Sequence, residues 1–68
     1  MTLTLDQPQH VRAWVVDALG REVQLLVDAE ATGGLRLDVN TAALAPGVYV
    51  VRVTGEAFAK TRRLTIVR

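Results

Sequence analysis

The chain carries one imidazole, at His10, and seven carboxylates, at Asp6, Asp17, Glu22, Asp28, Glu30, Asp38 and Glu56. Catalysis needs a nucleophile, an acid–base pair or a metal, held together in a pocket. Serine and cysteine are both absent. That removes the seryl hydroxyl and the thiol as nucleophiles, and with the thiol any disulfide framework or thiolate metal site. A lone histidine at the start of a strand cannot complete a zinc site, and no carboxylate stands near it at metal-ligand spacing. The acids fall mostly in turns and at strand ends, where they bond nearby backbone or stay solvated. Gly33-Gly34 is followed by no helix and no Lys-Ser/Thr pair, so it is not a phosphate loop. No catalytic residue, metal ligand or cofactor is expected, and the chain reads as one that is bound rather than one that reacts.

The cations are distributed less evenly than the acids. Eight basic residues nearly balance the seven acidic ones, and this balance gives no general attraction to nucleic acid or a membrane surface. Yet Lys60, Arg62, Arg63 and Arg68 all fall in the last nine residues. They are not interleaved with an aromatic ladder, as a nucleic-acid face would require. No apolar run approaches the roughly 18 residues of a membrane-spanning helix. Met1 leads straight into an alternating stretch, so no signal peptide is expected within this fragment. Trp14 shares the phase of His10 and Arg12, which marks it either as a ring lying under an arginine stem or as a surface contact for a partner.

The elements that must position these residues are strands. Period-two alternation runs from end to end, with no helical periodicity over three turns. Thr2–Leu5 alternates, and Asp6, Gln7 and Pro8 break it. Val11, Ala13 and Val15 face one way, while His10, Arg12, Trp14 and Val16 face the other. Asp17–Gly20 forms a hairpin turn, with Gly20 supplying a positive φ. The return strand, residues 21–27, places Leu25, Leu26 and Val27 out of a single phase, which predicts a bulge. Asp28–Gly34 reads as a loop, residues 35–39 as a strand, and Asn40–Gly47 as a short helical turn ended by Pro46-Gly47. Residues 48–54 have five β-branched side chains among seven, the strongest strand signal in the chain. Gly55-Glu56 turns into a last strand, residues 58–67, with a phase shift expected near Thr61 or Arg62. The sum is an all-β, immunoglobulin-like antiparallel sandwich of about six to seven short strands, forming one domain over residues 1–68.

Three stretches, taken in order and spacing, carry a resemblance. They are residues 11–23, with Asp17, Gly20 and Arg21; residues 44–53, with Leu44, Pro46, Gly47 and Tyr49; and the closing strand, residues 60–68. Together they resemble the C-terminal sorting domain of proteins exported through the type IX secretion system of Bacteroidetes-type bacteria. The pattern departs at Val16, where an aromatic is common, and at Trp14, where a smaller or polar residue is usual. The resemblance implies an immunoglobulin-like domain at the end of a larger secreted cargo. That cargo crosses the periplasm, passes an outer-membrane translocon, and ends at the cell surface or in the medium. The implied partners are the translocon, an outer-membrane shuttle protein and a sortase-like peptidase. Asp17, Gly20, Arg21, Leu44, Pro46, Gly47 and Tyr49 read mainly as fold-makers. Tyr49, Val51 and Val53 are expected in the core, with Leu37, Val39, Leu64 and Ile66 facing them.

Two other classes compete at this point. Immunoglobulin-like spacer modules related to the flagellar-hook capping protein share the hairpin and the Gly-Val-Tyr strand. A carbohydrate-binding accessory module would use Trp14 as a stacking platform, though such platforms normally need several aromatics. The charge distribution makes the last strand, with Lys60, Arg62, Arg63, Leu64, Ile66 and Arg68, the expected recognition element. Open edges also make edge-strand pairing or a swapped dimer an expectation.

Overall fold

Alternating side chains build two long strands and two short ones. The computed structural model describes residues 2–67. It contains β1 (Thr2–Val16), β2 (Glu22–Arg36), a single 3-10 turn (Thr41–Ala43), β3 (Gly47–Thr54) and β4 (Ala59–Ile66). The strands form one antiparallel sheet in the order β2-β1-β3-β4. Alternation sends Val11, Ala13 and Val15 of β1 and Tyr49, Val51 and Val53 of β3 to one buried face. Leu3, Leu5, Leu37, Leu44 and Ile66 join them in the same core. Val11, Val15 and Val53 are wholly enclosed, each stabilising the fold by about 1.5–3 kcal/mol.

A hairpin as long as β1–β2 cannot stay straight here. The Asn40 amide donates to Gln24 Oε1 at 2.8 Å, and Gln24 Nε2 donates to the Asn40 carbonyl at 3.2 Å. Arg36, opposite Thr2 at the far end, is only four residues from Asn40, a reach of at most about 14 Å. In a straight strand Gln24 and Arg36 would stand about 40 Å apart. The hairpin therefore doubles back over the core. The bend coincides with a register shift in which the step from Leu5 to Gln9 faces only the step from Gly33 to Ala31. Extra residues on one strand bend and twist it, Pro8 donates no ladder hydrogen bond, and Gly33 takes a φ of +68°. Leu3 and Leu5 thereby reach the core formed by the other strands.

This geometry changes the strand count read from the sequence. The all-β class holds, but the described residues form four strands in one sheet, and six to seven strands in a two-sheet sandwich are not found among them. The expected breaks at residues 6–8 and 28–34 are not chain reversals. Pairing with the partner strand continues past both, and bulges absorb the surplus residues. Residues 37–39, expected to be strand, lie outside any strand. The bulge expected at Leu25–Val27 is present: Ala13 faces Val27 and Trp14 faces Leu25, leaving Leu26 over. No phase shift occurs near Thr61 or Arg62, because β4 keeps unbroken register with β3 from Ala59 to Ile66. The 3-10 turn falls where a helical turn was expected. The expected core residues are buried, with Val39 and Leu64 partly so.

Candidate functional site

At one end of the sheet, local hydrogen bonding fixes the first hairpin. Asp17 Oδ1 accepts from the amides of Leu19 and Arg21, both at 2.9 Å. Its Oδ2 accepts from Arg21 Nε at 3.0 Å. The Arg21 amide, partly opposed by desolvation and reinforced by the Arg21 side chain and the Leu19 amide, holds the Asp17 carboxyl below its ordinary pKa. Gly20, with φ +82°, takes the left-handed conformation that a β-carbon would resist. In the second motif stretch, Leu44 is buried and the Tyr49 hydroxyl donates to the Ala45 carbonyl at 2.6 Å. The fold brings the two stretches together: Asp17, Arg21, Pro46, Gly47 and Tyr49 all line one shallow hollow of about 240 Å³. No part of the sequence pattern signalled that meeting.

The last strand lies at an edge of the sheet. Lys60 stands opposite Val53, Arg62 opposite Val51, Arg63 opposite Val50, Leu64 opposite Tyr49 and Ile66 opposite Gly47. Ile66 is buried, Leu64 half-buried, and Lys60, Arg62 and Arg63 exposed. Among the described residues these three cations form no ion pair. Arg68 lies outside the described residues. Beside β4 runs a groove of about 300 Å³ with an apolar floor of Leu26, Leu37, Val39, Val51 and Leu64. Arg62, Arg63 and Asp38 also line it. Sequence reading placed the floor residues in strands and core but did not find the groove. Its walls come from separate parts of the chain, and only the bend of β2 brings them together.

On the opposite face of the sheet, Trp14 lies with the Arg12 guanidinium 4.3 Å above its ring centroid. Arg12 also bonds Glu22 and approaches Asp28 at 3.9 Å, and His10 bonds Asp28. This is the arginine-covered arrangement, one of the two expected for Trp14. Arg52, which the sequence reading did not single out, stands directly opposite Trp14 on β3. The His10–Asp28 contact is exposed, and among the described residues no cluster of three or more His, Cys, Asp or Glu side chains could hold a metal. Among the described residues no helix is long and apolar enough to cross a membrane.

The described residues form a small antiparallel sheet whose edge strand, β4, carries three exposed cations. The model of the secretion system C-terminal sorting domain matches residues 1–67, nearly the whole chain, and the chain belongs to this family. It is a C-terminal sorting signal for type IX secretion, so its interaction is with the type IX machinery and its cargo is secreted or displayed at the cell surface. The family is not a known enzyme family, and the match gives no support to the spacer or carbohydrate-binding readings. No curated protein and no solved structure shows a significant match.

Proposed function

We propose that β4 is the strand the export machinery reads. The observation that carries this is an edge strand in regular register whose three cations have no acidic partner among the described residues. A continuous edge presents backbone donors and acceptors ready to pair with another chain. The seven motif residues, among them Gly47 and Tyr49 opposite Ile66 and Leu64, act as fold-makers that hold β3, and through it β4, in register. In this reading the chain is a single domain at the C-terminal end of a larger secreted protein. It crosses the periplasm with its cargo and meets the translocon and an outer-membrane shuttle protein, and a sortase-like peptidase then removes it. The doubled-over hairpin supplies a second layer above the core, which supports an immunoglobulin-like relationship. In this reading the host is a Bacteroidetes-type bacterium.

The test is a fusion of this chain to a periplasmic reporter in a type IX-competent host. The reporter is expected at the surface or in the medium, and deletion of residues 64–68 is expected to trap it in the periplasm. Unchanged export after that deletion would refute the role of β4.

A further inference from the structure

The two edges of the sheet differ in how well they could accept another strand. Along β2 the register with β1 shifts three times, and two of its acids, Glu22 and Asp28, are engaged by Arg12 and His10. Bulges are a usual protection of an edge. Along β4 the register is unbroken over Ala59–Ile66. The groove beside it has an apolar floor, and its one acid, Asp38, is already bonded to Arg36 at 3.2 Å.

We propose that the groove beside β4 takes an extended strand from a different chain, apolar where it meets Leu64 and Ile66 and acidic where it meets Arg63, Arg62 and Lys60. This rests on the reading of β4 as the recognition strand and adds the chemistry of what it recognises. Alternation sets the pattern. Lys60, Arg62, Leu64 and Ile66 share one face of β4, and Arg63 lies on the other. An antiparallel partner would therefore run apolar, polar, apolar, acidic, acidic, polar, acidic. Backbone pairing would supply affinity and the side-chain pattern specificity. The groove of about 300 Å³ lies beside Arg62 and Leu64, on the face where alternate side chains of an added strand would fall. The same charges argue against a second copy of this chain, because β4-to-β4 pairing centred on Arg62 or Arg63 would set like charges directly opposite one another. Lys60, Arg62 and Arg63 thus discourage self-association while admitting an acidic strand.

The probe is the capped peptide Ile-Thr-Val-Glu-Glu-Thr-Glu, with a control carrying lysine for each glutamate, titrated into the isotope-labelled full chain at low salt. The expected result is chemical-shift change along β4 and at Leu26 and Val39, slower exchange of β4 amides, and at least about tenfold weaker binding of the control (1.4 kcal/mol). The double variant Arg62→Glu with Arg63→Glu should reverse the preference; both side chains are exposed, and its spectrum reports whether the fold is kept. If that variant does not fold, salt provides the second measurement. Affinity should fall as the screening length shrinks from about 30 Å at 0.01 M to about 3 Å at 1 M. Equal binding of both peptides, no binding, shifts confined to β2, or self-association through β4 would each overturn the proposal. Failure to bind the peptide while deletion of residues 64–68 still blocks export would sink the groove and leave β4 as the export strand. Peptide binding with export indifferent to that deletion would do the reverse.

Discussion

Along β2 the pairing with β1 slips at three places and two acids are held by neighbouring bases, whereas along β4 the pairing runs without a slip and the cations are left to solvent. The difference arises from surplus residues. Asp6–Pro8 on β1, and Leu26 and Val23 on β2, have no opposite number and push the β1–β2 ribbon into a bend. That bend brings Leu3 and Leu5 over the core, but it leaves an edge too irregular to extend. In β3–β4 there are no surplus residues, and the edge stays continuous. One side of the sheet closes the fold, and the other remains available for recognition.

The comparison can be broken most forcibly in the core. Ile66 anchors the end of β4 at 7% exposure, while Leu25 on β2 is 51% exposed. Ile66→Ala should cost about 2–5 kcal/mol, a large share of the roughly 3–10 kcal/mol expected for a chain of this length. Leu25→Ala should stay within about 0.5 kcal/mol. Urea midpoints of the two variants measure both, and equal losses would contradict the contrast between the strands.

The next effect concerns two glycines. A β-carbon on Gly55 would run into the Phe58 ring and lie 2.5 Å from Gln9 Oε1, whereas one on Gly34 in β2 would meet nothing within 4 Å. Gly55→Ala should therefore cost about 1–3 kcal/mol by overpacking. Gly34→Ala should change the thermal midpoint little. A tolerant Gly55 would mean that the β3–β4 turn is looser than its packing implies.

Arg12→Ala sharpens the account of the β1–β2 side. It removes the cation over Trp14 and releases Glu22, while Asp28 keeps its bond to His10, all on partly exposed side chains. The loss should be no more than about 1 kcal/mol, accompanied by a red shift of Trp14 fluorescence as the ring meets water. An unmoved emission spectrum would show that Arg12 does not shield the ring.

The smallest expected effect is an acid one. The folded Asp17 carboxyl titrates below its ordinary value of 3.8, so its contribution is fully present above that pH. It is lost as pH falls through 3.8 toward the depressed folded value. Asp17→Asn should flatten that part of the stability–pH curve, while an unchanged acid slope would assign the dependence to other groups.

Much of this was legible in the sequence. Asp17, Gly20 and Arg21 announce their turn because its hydrogen bonds are local. The buried faces of β1 and β3 follow from strict alternation. The strand count was not legible, because Pro8 and the Gly33-Gly34 pair break a pattern in the same way whether the chain reverses or only bulges. The groove was hidden for a related reason. Leu26, Val39 and Leu64 have no local signal linking them, and their meeting depends on how far β2 doubles back. The hollow shared by Asp17 and Pro46 is likewise a long-range product of the β1–β3 pairing.

The central claim is that the basic edge of β4 is what the secretion machinery recognises. Its most direct measurement is export of a periplasmic reporter fused to this chain, compared with the same fusion carrying Arg62→Glu and Arg63→Glu, once the variant is shown to be folded. The account predicts that the wild-type fusion reaches the surface or the medium while the folded variant stays in the periplasm. Equal export of the two would contradict it.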